Sequence, residues 1–447
     1  MATVKPFRAF RYDIKKSKSP TGIGMGALVC PPYDVIDAAM QDALYAKSPC
    51  NVVRVEYGKQ QPADKPGEDR YSRAATQLSS WLQDGTLRQD SRPAFYLYEQ
   101  TFDIASGGAS HSRVVIRRGI FGAVKLEPFG TGCVYPHEET FGGPKADRLN
   151  LMRACSANTS PVFGLIPDED SAITQLMEKG VKLKQPDVEL TEDNGVVNRL
   201  WVIDDASWCS ALSDHLGNKT IFIADGHHRY ETSCNYRDER RAADNDQYGK
   251  HGQDYEATLM MCVAMSDPGL YILPTHRLIH EAQGLSKDNF LRDAANLFDI
   301  KDASEAELLK LAEEETGPVR FGVIFKDGSR KLAAVKPAAA AEMKRVAPAK
   351  SEAWRSLDVS VIQELVLKGV LRLSEEKVLR KEGVSYTPDT RQALAKVTSG
   401  AGYAMGFILR PTTIQQVRDV ASGGEKMPQK STYFYPKLLT GLVIRKI

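Results

Sequence analysis

No stretch of the 447-residue sequence approaches the roughly 20 apolar residues that a helix needs to cross a bilayer. The opening Met1-Ala-Thr-Val-Lys-Pro carries no apolar signal core, so a cytoplasmic protein without a membrane partner is the expectation. An excess of charge of one sign is missing too. Lys and Arg number 59 against 57 Asp and Glu, a formal charge of +2. That balance disfavours a nucleic-acid partner, because non-specific binding needs a concentrated basic surface. The seven cysteines, at 30, 50, 133, 155, 209, 234 and 262, form no CxxC pair, which argues against a disulfide framework or structural zinc. Also absent are a glycine loop ending in Lys-Ser/Thr, a Gly-x-Gly-x-x-Gly after a strand, and a protein-kinase catalytic loop. Phosphate chemistry, if present, must use another design.

What is present is ordinary globular composition, 42% hydrophobic and 26% charged, over a length that predicts more than one core. Pro31-Pro32 forbids a helix and favours a turning backbone. Apolar residues at helical spacing predict a helix from Asp69 to Leu87, ended by Gly85. Strands are predicted at Ala94-Phe-Tyr-Leu-Tyr-Glu and Arg113-Val-Val-Ile-Arg-Arg, and a third from Gly119 to Leu126. A Gly-, Pro- and His-rich stretch, 128–148, opens into a helical pattern from Lys145 to Ala154. Thr220-Ile-Phe-Ile-Ala is a β run feeding Asp225-Gly226, and Tyr230 to Ala242 reads as an exposed helix. Glu256 to Met265 is a buried strand or helix. After about residue 285 helical patterns (288–297, 303–315), a hairpin at Lys326-Asp-Gly-Ser, a helix from Val359 to Leu367 and a strand from Tyr403 to Leu409 suggest a second α/β unit.

The strand-to-helix turn Asp225-Gly226-His227-His228-Arg229 is the most informative feature. Gly226 lets the chain turn sharply with no Cβ in the way of a ligand, and the first amides of the following helix form an anion site. Arg229 can grip a phosphate with a fork of donors. His227 and His228 can bond phosphate oxygens or move protons near neutrality. Asp225 could bind Mg²⁺ or act as a base. The competing reading is a structural turn in which Asp225 caps the helix. Adjacent histidines point about 100° apart on a helix, so this is not a zinc helix.

Four other stretches supply chemistry. Pro136-His137-Glu138-Glu139-Thr140 sets a carboxylate beside an imidazole; Glu138 is the candidate base and metal ligand, with Glu139 an acceptable substitute. Lys145, Asp147 and Arg148 offer two cations to a polyanionic donor, with Asn158 and Ser160 as neutral donors downstream. Pro274-Thr275-His276-Arg277 leaves a β strand where α/β proteins place ligands. Glu425-Lys426-Met427-Pro428-Gln429-Lys430-Ser431-Thr432 is a basic, hydroxyl-rich loop, a candidate lid over phosphate oxygens. Tyr33, Asp34 and Arg54 are candidate contacts to a small substrate. For Asp34 a capping role on a helix starting near Ile36 competes, and Asn51 and Arg54 are weaker candidates, Arg54 for a substrate carboxylate.

The Asp225–Arg229 turn resembles the phosphate-binding turn of the ParB and sulfiredoxin superfamily, which includes free serine kinases. His227 stands where the sulfiredoxin cysteine would be, which speaks against sulfinic acid reduction. Over nearly its full length the chain resembles the family filed as domain of unknown function 1015. The stretches that carry this are Pro31-Pro32-Tyr33-Asp34-Val35-Ile36, Pro136-His137-Glu138, Gly143-Pro144-Lys145-Ala146-Asp147-Arg148, Asp225 to Glu231, Leu273-Pro274-Thr275-His276-Arg277, and Met427 through Lys437. The resemblance implies an α+β, mixed α/β fold with a ParB/sulfiredoxin-like catalytic core at 126–285. An N-terminal α/β region, 1–125, would contribute to the site, and 286–447 would form a C-terminal α/β domain bearing the lid loop. It also implies a Mg²⁺-dependent kinase moving a phosphoryl group from pyrophosphate or a nucleotide (ATP or ADP) to the hydroxyl of free L-serine. In that picture Asp225, His227, Glu138 and His137 do the chemistry. Gly226, His228, Arg229, Lys145, Arg148, Lys430, Ser431 and Thr432 hold phosphate, and Asp34, Tyr33, Arg54, His276 and Arg277 hold the substrate. The alternatives are a ParB-like nucleotide switch and a non-catalytic sensor of a phosphorylated metabolite.

Overall fold

Apolar strands dominate the first 264 residues, and their burial on both faces gathers them into one sheet. The computed structural model describes residues 2–13, 24–108, 111–130, 132–138, 142–217, 219–245, 253–379 and 382–447. Within these, nine strands form a mixed sheet: β1 (Val4–Lys5), β2 (Phe95–Asp103), β3 (Val114–Lys125), β4 (Val134–Pro136), β5 (Val162–Ile166), β6 (Val188–Thr191), β7 (Val197–Ile203), β8 (Ile221–Asp225) and β9 (Ala257–Ala264). Their order is β4-β8-β5-β9-β3-β2-β7-β6, with β1 on β3. Side chains alternate across it: Tyr96 and Tyr98 join a core with Trp81 and Leu78, whereas Phe95 and Leu97 join one with Met177 and Leu212. Four helices matter for the site: α1 (Ala38–Lys47), α2 (Arg70–Gln83), α3 (Gly142–Cys155) and α4 (His227–Ala243).

Several local expectations need adjustment. The strands read as separate at 113–118 and 119–126 are one, β3. Gly119 is no breaker: a Cβ there would lie 2.5 Å from Met261 Cε and 2.8 Å from the Cys262 carbonyl, so the glycine admits β9 at close range. The ambiguous run 256–265 is strand β9 after a short 3-10 turn. The helix expected near Ile36 begins at Ala38, and its cap is Asp37, which accepts from the Met40 amide at 2.8 Å. Asp34 is thereby released from that duty. Helix α2 starts on a capping box between Asp69 and Ser72, and the expected helix at 359–367 is a short α turn that widens into a π-helix over Ile362–Val370.

A second sheet, antiparallel throughout, orders β10 (His276–His280), β11 (Phe298–Asp302), β12 (Arg320–Phe325), β13 (Arg330–Val335), β14 (Val384–Thr387) and β15 (Tyr403–Ile408) as β11-β13-β12-β15-β10-β14. It has its own core around Phe290, Phe298, Phe321, Phe407 and Val366. The chain then returns to the first unit in two small two-stranded sheets: Tyr433–Tyr435 pairs with Tyr271–Leu273, and Arg445–Lys446 with Ala157–Asn158. That return lays residues 427–437 across the ends of β4 and β8. No helix among the described residues is long and apolar enough to cross a membrane.

Candidate functional site

The two candidate carboxylates meet because of strand register. Strands β4 and β8 run parallel, with Ile223 opposite Pro136. Residues two further on, Asp225 and Glu138, therefore leave the same end of adjacent strands. Beyond Asp225 the backbone turns at Gly226, whose φ of 86° lies in the left-handed region that favours glycine, and α4 begins with no side-chain cap. A Cβ on Gly226 would sit 2.8 Å from Arg229 Nε. The glycine thus serves the guanidinium as well as the turn.

Cations converge on this point. Arg229 Nη2 reaches Asp225 Oδ2 at 3.4 Å, and its Nη1 donates to the Pro161 carbonyl. Lys437 Nζ lies 3.3 Å from the same Oδ2 and 4.3 Å from the centre of the Tyr433 ring. The Gly226 amide donates to Asp225 Oδ1 at 2.9 Å. Burial works to raise the Asp225 carboxyl, but Lys437, Arg229 and Lys430 outweigh it and hold the group well below the carboxylate range. Lys430 also acts on Glu138 and His228, so one ammonium is shared among the turn's charged groups. Its backbone, at φ 55°, is left-handed without being glycine, a strained conformation of the kind found at functional loops. Arg277 braces it, donating to the Lys430 carbonyl at 3.1 Å.

His137 and His227 are buried. Their rings pack edge to face at 4.7 Å. His227 Nε2 accepts from the His137 amide at 3.2 Å. Burial first, and the neighbouring His137 second, push His227 down to about 3, so it is neutral at physiological pH. His137 Nδ1 sits against the Ile223 carbonyl, and its Nε2 lies 2.9 Å from Thr432 Oγ1. The Thr432 hydroxyl and amide both donate to Glu138 Oε1, at 3.1 and 3.0 Å. Burial would raise Glu138, yet the hydrogen bond to His137 and the charges of His137, His227 and Lys430 bring it to about 2. His228 is lowered by burial, with Lys145 and Lys430 adding to the effect against Glu231 and Asp34.

The remaining candidates divide. Lys145 Nζ is 2.5 Å from Glu231 Oε2. Arg148, 6% exposed, is held by Glu56 Oε1 (3.2 Å) and Asp147 (2.6 Å) and stacks 4.0 Å over Tyr33. Arg148 and Arg229 share the lining of a cavity of about 20 Å³, so Arg148 stands directly behind the turn. Asp34 is exposed, and its charge acts on His228 and Tyr433. Ser431 bonds the Pro428 carbonyl, and Ser160 bonds Glu56 at 2.8 Å. Asn158 accepts from the Leu259 amide, and Asn51 bonds the Ala27 and Val29 carbonyls. Arg54 is not brought to the turn: it donates to the Tyr45 carbonyl at 3.0 Å and covers the Tyr45 ring. His276 lies in the second sheet, between the Leu409 amide and the Thr390 hydroxyl. Glu139 and Thr140 fall outside the described residues. The loop expected as a lid is tied down by the Met427 amide on the His137 carbonyl (2.7 Å) and by Trp354 on the Lys426 carbonyl (2.9 Å).

Two participants carried no assigned role in the sequence reading. Lys437 closes the final motif and is the nearest ammonium to Asp225. Glu56 sits in a four-residue helix and gathers Arg148, Thr159 and Ser160 in the interior. A carboxylate beside the three valines of Val52-Val53-Arg54-Val55-Glu56 was the available signal.

A family model described as a protein of unknown function (DUF1015) matches residues 4–360, and the chain belongs to that family. No curated protein sequence matches it. Among solved structures, a conserved hypothetical protein from Pyrococcus furiosus shares 13% identity, covering 68% of this chain and 89% of that one at a TM-score of 0.33. A free serine kinase in complex with ADP shares 12% (68% and 84%, TM-score 0.34). SbnI from Staphylococcus aureus, truncated at its C-terminus, shares 10% (72% and 86%, TM-score 0.32).

Proposed function

We propose that this protein is a phosphotransferase that moves a phosphoryl group from pyrophosphate or a nucleotide to the hydroxyl of a small alcohol, free L-serine being the acceptor. One observation carries the reading: two carboxylates leave adjacent parallel strands at a glycine turn, with Lys437 and Arg229 at 3.3 and 3.4 Å from Asp225 and the charge of Lys430 acting on both acids. Phosphoryl transfer asks little covalent help of a protein and much positioning and charge neutralisation. A cluster holding three cations against two ionised acids meets that demand. Lys437, Arg229 and Lys430, which now neutralise Asp225, are the cations that donor phosphates would recruit, with the opening amides of α4 beside them. Glu138, held ionised, takes the acceptor's hydroxyl proton as its oxygen bonds phosphorus and the donor's bridging P–O bond breaks. The displaced phosphate or nucleoside phosphate carries away the electron pair. Asp34, exposed and within electrostatic reach of His228, suits the ammonium of an amino-acid acceptor.

A magnesium ion fits in one way only. Among the described residues no three His, Cys, Asp or Glu side chains gather to hold a metal. Asp225 and Glu138 would supply two carboxylates, a set that Mg²⁺ accepts when waters and donor phosphates complete its shell. When bound it would neutralise the donor's charge.

The test is direct. Purified protein is incubated with serine, Mg²⁺ and each of pyrophosphate, ATP and ADP, and phosphoserine is measured by mass spectrometry. We expect product from at least one donor and a loss of about 100-fold or more in Asp225→Asn, the scale of removing a charge-stabilising group. Absence of phosphoserine with every donor, or an undiminished rate in Asp225→Asn, overturns the reading.

A further inference from the structure

Facing each other across β2 and β3, Gln100 and Arg117 are both 0% exposed. Two polar side chains in the middle of a sheet are costly unless their hydrogen bonds serve something. Arg117 directs its two terminal nitrogens at carbonyl oxygens and an amide: Nη1 bonds the Tyr435 carbonyl at 3.1 Å, and Nη2 bonds the Pro436 carbonyl at 2.5 Å and Gln100 Oε1. Gln100 Nε2 donates to the Lys437 carbonyl at 3.2 Å and to Asn198 Oδ1 at 3.1 Å. Asn198 in turn donates to Glu192 at 2.9 Å and accepts from the Tyr98 hydroxyl. Three consecutive carbonyls, those of 435, 436 and 437, are thus gripped from inside the sheet.

The last of the three belongs to the lysine that reaches Asp225. With its carbonyl fixed, the Lys437 side chain is directed across the Tyr433 ring to the carboxylate. We infer that Arg117 and Gln100 are positioning residues for the candidate site: they clamp the backbone of 435–437 and so set the Lys437 ammonium on Asp225. Their importance to phosphate chemistry rests on the phosphotransferase reading, but the positioning itself does not. A merely structural pair would stabilise the sheet and leave the site's geometry alone in any variant that still folds.

The experiment compares Gln100→Leu, Lys437→Met and the double variant in the full chain, measuring pyrophosphate binding by calorimetry well below each melting temperature. Loss of one charge-assisted contact corresponds to about tenfold in affinity. Gln100→Leu should weaken binding about tenfold, as Lys437→Met does, and the double variant should be no weaker than Lys437→Met alone. Where the leucine variant does not fold, Gln100→Glu is nearly isosteric, lacks the donor to the Lys437 carbonyl, and should show the same loss. Arg117→Lys should fall between it and the parent. Affinity unchanged in the folded variants, or losses that multiply in the double variant, overturns the inference. Should the parent bind no pyrophosphate, the comparison is made with ATP and ADP; should it bind none of the three, the phosphotransferase reading falls, and the positioning is read separately from the Lys437 ¹⁵N ammonium signal. Pinned to Asp225, that ammonium exchanges slowly with water. Disappearance of the signal in the Gln100 variants supports positioning, and persistence refutes it.

Discussion

Replacing Gly226 by alanine would separate two reasons for a glycine at the turn. The first is backbone strain: φ is 86°, and an L-residue in the left-handed region costs about 1–2 kcal/mol. The second is space, because the new Cβ would lie 2.8 Å from Arg229 Nε and 3.0 Å from its Cζ. Arg229 cannot yield freely. Its Nη1 is bonded to the Pro161 carbonyl and its Nη2 faces Asp225, and a hydrogen bond made by a charged group contributes about 1.5–3 kcal/mol. Gly67 supplies the control, with φ 84° and nothing within 4 Å of an added Cβ. We expect Gly67→Ala to lose about 1 kcal/mol, strain alone, and Gly226→Ala about 3 kcal/mol, the excess being the displaced guanidinium. Urea unfolding midpoints, compared where the m-values agree, measure both. Repeating Gly226→Ala in an Arg229→Met background should bring its loss down to that of Gly67→Ala. Equal losses for the two glycines, or an excess that survives the removal of Arg229, would falsify the idea that Gly226 makes room for the arginine.

Two further outcomes follow from buried charge. Glu56→Leu leaves Arg148 with half of its ion-pair network gone in a site 6% exposed, and should cost about 3–5 kcal/mol in urea unfolding. Adding Arg148→Met should recover part of that loss, and a single-variant loss under about 1 kcal/mol would sink the assignment. His276 is buried and pushed down to about 3, by burial first and by Arg277 second. The unfolded chain takes up its proton below about pH 6.5 and the folded one does not, so stability present above that pH is lost with acid, by up to about 1.4 kcal/mol per unit. His227 acts in the same direction. Between pH 7 and 5 His276→Gln should flatten the decline by about 0.7 proton on average, nearing one at the acid end; an unaltered slope refutes it.

The legible parts of this molecule are those whose causes lie close together in the chain. An apolar run, a glycine and a polar helix start identify the Asp225 turn, and Asp69 with the spacing of Tyr71, Ala74, Leu78 and Leu82 identifies α2. Arg54 illustrates the limit. It has the chemistry to meet a carboxylate, but the carbonyls ending α1 lie near in sequence and satisfy it first. The partners of the charged groups were hidden for the opposite reason: 92 residues separate Glu56 from Arg148, and 212 separate Asp225 from Lys437. No periodicity encodes a pairing over such distances. What the sequence does carry is the demand for a partner. Gln100 and Arg117 sit in runs that become β2 and β3, Glu56 ends a valine-rich helical turn, and His276 opens an apolar strand. A polar group buried without a partner costs too much to keep. Each such residue therefore announces a distant contact whose identity only the fold supplies, and three of the four act at or behind the Asp225 turn: Glu56 through Arg148, and Gln100 and Arg117 through Lys437.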